Sequence, residues 1–232
     1  MVFVAGSYNI HECVGVDGRR DPERISRVIM SLEVDLIGLQ EVDSRSAGPP
    51  PSDQLAYLSK ATGLHAVAGP TVWRSDGRYG NALLAKRRIL SIRHHDLSYP
   101  GHQPRAAIDA QVDIDGQSTA RVLVTHFGLG LAERRYQLRK LLELLDHDHS
   151  RYTLLLADIN EWLPGSVVIR RLNATLGRSS SRRTFPSRWP LFPLDRIWMR
   201  PKDILLETSV SDTFLGRTAS DHLPLRAKIA LP

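Results

Sequence analysis

Leu154-Leu155-Leu156-Ala157-Asp158-Ile159-Asn160 sets the reading of this chain. Apolar residues at successive positions, short of helix length, suit a strand covered on both faces. The acid and the amide that follow stand where such a strand leaves its sheet. Two other segments end alike. Leu36-Ile37-Gly38-Leu39 runs into Gln40-Glu41, and Ser220-Asp221-His222 precedes a strand expected over Leu223–Ile229. Strands that finish along one sheet edge deliver these side chains to one pocket. Carboxylates, Asn and His are the oxygen and nitrogen donors that divalent cations take, which makes the set the equipment of a metal-assisted hydrolase.

Around these segments, strand and helix patterns alternate from end to end, which implies an α/β or mixed α+β architecture. Asp21-Pro22-Glu23 opens a helix with a cap, a proline at the first position and an acid near the N-terminus, and Ile25, Val28, Ile29 and Leu32 form its buried stripe. Further helices are expected over Asp53–Thr62, stopped by Gly63, over Ala132–Leu145, and over Ser166–Leu172. Strands are expected over Val2–Asn9, Leu36–Gln40, Ala82–Ala85, Ala107–Ile114, Ala120–Thr125, Thr153–Ala157, Arg196–Met199 and Leu223–Ile229. Ser44–Ser52, Ser98–Arg105 and Gly177–Leu194 read as loops, the last long enough to carry function.

The 232 residues suffice for one catalytic domain spanning 1–232, and 42% hydrophobic content supports a core. The single cysteine, Cys13, excludes an internal disulfide framework. Met1-Val2-Phe3-Val4-Ala5 is too short for a signal-peptide apolar region, and no apolar run reaches membrane-spanning length, so the expectation is a soluble cytoplasmic protein. A formal charge of +6 favours an anionic partner: nucleic acid, a membrane lipid headgroup or a small phosphate ester. No obligate protein partner is evident. His94-His95 and His147-Asp148-His149 read as surface, Cys13 as a small core hydrophobe and His11 as a pocket-wall residue.

In order, the polar landmarks are Tyr8-Asn9-Ile10-His11, Gln40-Glu41, Tyr79-Gly80-Asn81, Arg105, Thr125-His126, Asp158-Ile159-Asn160, Leu194-Asp195-Arg196-Ile197 and Ser220-Asp221-His222. This set and its order resemble the endonuclease/exonuclease/phosphatase superfamily over essentially the whole chain. The resemblance implies a four-layer α+β sandwich of two packed mixed β-sheets flanked by helices, like deoxyribonuclease. It also implies phosphoester hydrolysis with Mg²⁺ or Mn²⁺. By that likeness Glu41 is the principal metal ligand, assisted by Asn9 and Asp221. Asp158 and Asn160 match the pair that orients or deprotonates water and holds the phosphate, His222 the catalytic histidine, and Asp195 its acid partner. His126 fits a second histidine that contacts phosphate, and Asn81 and Arg105 resemble phosphate-binding positions. The pattern departs at Ala157, where glycine is common, and at Glu12-Cys13, where a bacterial subset has His and Gly.

Physics supports those roles independently. Charge builds on phosphoryl oxygens during cleavage, so a held cation lowers the barrier. An imidazole with an aspartate on its other nitrogen moves protons near neutral pH. On substrate, Arg182, Arg183, Arg188 and Trp189 suit phosphate contact and base stacking, whereas Phe185-Pro186 and Trp189-Pro190-Leu191-Phe192-Pro193 suit a lipid or another apolar leaving group. A small or lipid-linked phosphodiester is preferred over nucleic acid. The reading from a different class is a non-catalytic phosphate-binding protein on the same fold.

Overall fold

Two mixed β-sheets stack face to face, and the computed structural model describes residues 2–45, 52–146, 150–179 and 181–231. The first half of the chain supplies β1 (Val2–Asn9), α1 (Pro22–Ser31), β2 (Leu36–Arg45), β3 (Ser52–Asp53), α2 (Gln54–Thr62), β4 (His65–Arg74), β5 (Gly77–Ala85), β6 (Ile89–Asp96) and β7 (Ala106–Asp113). The second half supplies β8 (Thr119–His126), α3 (Leu131–Asp146), β9 (Thr153–Asp158), α4 (Val167–Leu176), β10 (Asp195–Arg200), β11 (Leu205–Val210), α5 (Phe214–Ala219) and β12 (Leu225–Ala230). One sheet runs β11-β12-β1-β2-β5-β4, with β3 on β2, and the other runs β10-β9-β8-β7-β6. The pairs β1/β2 and β8/β9 are parallel and the rest antiparallel.

Three apolar clusters make four layers. Phe3, Leu36, Leu83, Val122, Leu154 and Ile197 meet between the sheets. Ile25, Val28, Ile29 and Leu58 of α1 and α2 cover the outer face of the first sheet. Leu138, Leu141, Val168 and Leu172 of α3 and α4 cover the second. Gly38 sets how closely the sheets approach, because a Cβ there would come within 2.9 Å of Val124 and 3.0 Å of Leu156.

The helices follow their local chemistry. Asp21 accepts from Arg24 N at the start of α1, Asp53 from Ala56 N at α2, and Gly63 ends α2 at φ 70. Helix α4 runs beyond the expected Leu172, because Leu176 extends the buried stripe and Gly177 stops it. Strand β2 likewise continues past Gln40 to Arg45, and β12 begins at Leu225, two residues later than expected. Strands β4, β6 and β11 were not expected. Among the described residues all three are sheet edges, where one flank lacks a partner strand and polar or proline residues are tolerated. His94 and His95 therefore sit in β6, with His95 half-buried and not simply surface. The Gly48-Pro49-Pro50-Pro51 loop and His147-Asp148-His149 lie outside the described residues. No helix among the described residues is long and apolar enough to cross a membrane.

Beneath β6, Arg121 grips Asp109 through Nε (2.9 Å) and Nη2 (2.7 Å), and His95 Nε2 lies 3.1 Å from the same carboxylate. Burial by itself would raise the Asp109 carboxyl. Arg121, with His95 adding to it, outweighs burial and holds it below the usual range. A depressed folded-state pKa contributes stability above the unfolded value that is lost as pH falls through the folded one. Asp109→Asn is thus expected to cost about 3 kcal/mol in urea unfolding at neutral pH, since it strands a buried guanidinium. The difference from the parent should shrink as the parent's own carboxylate is protonated in acid. An unchanged gap at low pH would show that the pair does not act through charge.

Candidate active site

Strand register assembles the pocket. In the second sheet His126 lies beside Asp158, and Asp158 beside Asp195, so three strands place three polar side chains in one row. In the first sheet Asn9 lies beside Gln40 at the ends of the parallel pair β1/β2. The β2/β5 register slips between Leu39 and Val42, and Glu41 stands in the left-handed region at φ 59. A bulge of this kind re-aims one side chain. It explains why Gln40 is fully buried while Glu41 reaches the pocket. Asn160 has the same backbone state, at φ 50, just past β9. Non-glycine residues held there carry strain of order 1–3 kcal/mol each, which clusters at functional sites.

One chain of contacts links the two sheets. Asn9 Nδ2 donates to Glu41 Oε1 (3.1 Å) and to Asp158 Oδ2 (3.0 Å). Asp158 Oδ1 accepts from Asn160 N at 2.9 Å. His126 Nε2 lies 3.6 Å and His222 Nε2 3.8 Å from Asp158 Oδ2. His222 Nδ1 is 2.7 Å from Asp195 Oδ2. Arg105 Nη1 donates to His126 Nδ1 at 3.0 Å, and the side-chain nitrogen of Asn160 is 2.9 Å from His126 Nε2. Ser220 Oγ ties the C-terminal segment down by donating to Asn9 O at 2.8 Å.

The two histidines differ electrically. Burial, reinforced by Arg105, pushes His126 down to about 3, so it is neutral. Burial also opposes charge on His222, but Asp195, then Asp158 and Asp221, outweigh it and lift the ring to about 10. At neutral pH His222 is therefore an imidazolium aimed at Asp158, and His126 is not. Burial pushes the Glu41 carboxyl up, with Asp221 and Asp158 adding and the Asn9 hydrogen bond opposing.

That donor chemistry fits a divalent cation. Glu41 is half-buried beside two other acids whose negative charge disfavours its ionised form, and a cation there would offset all three. The ligand atoms of Asp158, Asp195 and His222 also lie within 4.8 Å of one another. One of those contacts is the 2.7 Å Asp195–His222 hydrogen bond, which an ion would have to displace, so the side facing Glu41 suits a metal better.

A family model described as endonuclease/exonuclease/phosphatase family matches residues 6–222. The chain belongs to the endonuclease/exonuclease/phosphatase family. This is a phosphoesterase family whose members usually use divalent metals. The chain is similar to the uncharacterized protein YbhP of Escherichia coli K12, 27% identical over 247 residues, covering 99% of this chain and 96% of the relative. An endonuclease/exonuclease/phosphatase from Beutenbergia cavernae superposes with a TM-score of 0.78 at 21% identity, over 99% of this chain and 72% of that one. A mannosyl-6-phosphatase from Bacteroides thetaiotaomicron does so at 0.70 and 15% identity, over 99% of this chain and all of that one (100%). These two likenesses show the fold.

The fold thus gathers Asn9, Glu41, Arg105, His126, Asp158, Asn160, Asp195 and His222. Asp221 stands at the rim, partly exposed, with Oδ1 3.8 Å from His11 Nδ1. Asn81 is apart from this chain: its side chain donates to Ala106 O at 3.0 Å, tying β5 to β7. Asn9 faces the acids with its amide nitrogen, while its oxygen accepts from His11 N at 3.0 Å. Cys13 is fully buried, and burial pushes its thiol up. One sequence landmark had no assigned role in the sequence reading. Tyr79, buried and electrically coupled to Glu41 and Arg105, lies two residues before Asn81 on one strand, a spacing that signals a shared face. Phe185 packs 4.8 Å from the His222 ring, with Trp162 against both Phe185 (5.6 Å) and Phe192 (4.8 Å).

Proposed function

We propose that this chain hydrolyses phosphate esters, diesters foremost, by in-line attack of water, with Mg²⁺ or Mn²⁺ held at Glu41 and assisted by Asp221 and by Asn9, whose amide would turn to present its oxygen to the cation. Bound there, the cation would neutralise charge on the phosphoryl and leaving oxygens. Asp158, fixed by Asn9 and by the Asn160 amide, accepts a proton from water or orients it. Asn160 and Arg105, with neutral His126 between them, contact phosphate without adding negative charge. His222 presents its Nε2 proton, and Asp195 stabilises the imidazolium. Asn81 is kept as a residue shaping the phosphate pocket. The observation that carries this reading is the continuous path Glu41–Asn9–Asp158–His222–Asp195, which crosses both sheets within hydrogen-bond or ion-pair distance.

The test is release of aryl alcohol from a bis-aryl phosphate and from the mono-aryl ester. Turnover that appears with Mn²⁺ or Mg²⁺, disappears with chelator and favours the diester is the expected outcome. Metal-independent turnover, or none on either ester, overturns the proposal; the second result would favour a binding protein on this fold.

The aromatic wall of Phe185, Phe192 and Trp162 beside His222 favours a small or lipid-linked diester. The formal charge of +6 favours nucleic acid as a second reading. A salt series separates them, because nucleic-acid affinity falls steeply with salt. Phospholipid-headgroup cleavage in detergent should persist from low to physiological salt, while plasmid nicking is absent or salt-quenched.

A further inference from the structure

The segment that carries Phe185 also holds large apolar side chains out in solvent. Trp189 is 76% and Leu191 57% exposed. The segment is nevertheless well tied. Thr184 N and Phe185 N donate to Phe192 O, Leu191 N to Phe185 O, and Trp189 N to Pro186 O. Ser187 N donates to Asp221 O, and Ser187 Oγ contacts Arg217 O and Ser220 O. Arg217 of α5 in turn donates to Arg188 O. Helix α5 begins with Phe214, 86% exposed, and Leu163, 66% exposed, follows Trp162 on the aromatic wall. Four large apolar groups therefore project from segments bound to one another and to the His222 end of the pocket.

Water penalises such an arrangement, and tied backbones cannot fold the groups away. Arg182, Arg183 and Arg188 on the same segment are exposed as well. We propose that Trp189, Leu191, Phe214 and Leu163 form a docking surface for an anionic lipid membrane, with these arginines facing its headgroups. The mixture decides between partners. Leu191 and Leu163 have no ring with which to stack a base, whereas Trp, Phe and Leu beside arginine are the composition of interfacial anchors. The inference goes beyond the hydrolase reading, since docking involves no turnover.

The experiment is co-sedimentation of the full chain with phosphatidylcholine vesicles, with and without phosphatidylglycerol, comparing the parent, Trp189→Ser/Phe214→Ser and Arg183→Ala/Arg188→Ala. The parent should sediment with the anionic vesicles. The apolar double variant should bind at least about tenfold more weakly, from the area it fails to bury. The arginine double variant should lose about tenfold on anionic vesicles alone. Both variants should keep the parent's melting temperature, since all four side chains are exposed. No vesicle binding by the parent, or equal binding by all three proteins, overturns the proposal. So does loss of oligonucleotide binding in the apolar variant without any vesicle binding, which would assign the surface to nucleic acid.

Discussion

Replacing His222 by Ala is expected to lower kcat for a bis-aryl phosphate by roughly a hundred- to ten-thousandfold, with KM little changed. The ring is an imidazolium because three acids surround it, and the proton it presents at Nε2 lies beside Asp158. Asp195→Asn should remove much of the same benefit, since an amide cannot stabilise the charge across the 2.7 Å contact. The decisive comparison is the double variant. Two groups that act as a unit are not additive, so His222→Ala/Asp195→Asn should be no slower than His222→Ala alone. Losses that multiply would mean that Asp195 does something other than serve His222.

The second large effect lies at Glu41. Glu41→Gln is expected to lower metal-dependent turnover by at least about a hundredfold. It should also change a property measured with no substrate present. The parent's melting temperature should climb as Mn²⁺ is added, because an ion that binds only the folded chain stabilises it, by about 2.7 kcal/mol at a hundred times its Kd. In Glu41→Gln that climb should vanish. Without metal, the same variant should melt higher than the parent, because it removes a half-buried carboxylate pressed by Asp221 and Asp158. An intact Mn²⁺ response in the variant would place the cation elsewhere, and a lower metal-free melting point would show that Glu41 is held mainly by favourable contacts.

The central strands were readable from the chain because they are covered on both faces: Leu154, Leu155 and Leu156 are all buried. The edge strands β4, β6 and β11 were not, although β10, an edge strand buried along most of its length, was. Strand β6 exposes most of its length, through Ser91, Arg93 and His94, and β4 contains Gly69-Pro70, so neither shows the apolar run that marks a strand. The candidate site followed the same division. Its acids and histidines stood out as the ends of buried strands, whereas Tyr79 lay in the unrecognised N-terminal half of β5.

The amino-acid sequence alone determined which donors are available and which strands carry them to a sheet edge, because burial on both faces writes itself into successive apolar residues. Only the tertiary structure decided which donor meets which. Asn9 reaches Asp158 across 149 positions of chain and Ser220 reaches Asn9 across 211, distances over which no local periodicity carries information. The slip in register that turns out Glu41, and the surroundings that charge His222 while keeping His126 neutral, arise from strands paired across two sheets; the field at each ring is set by neighbours remote in sequence.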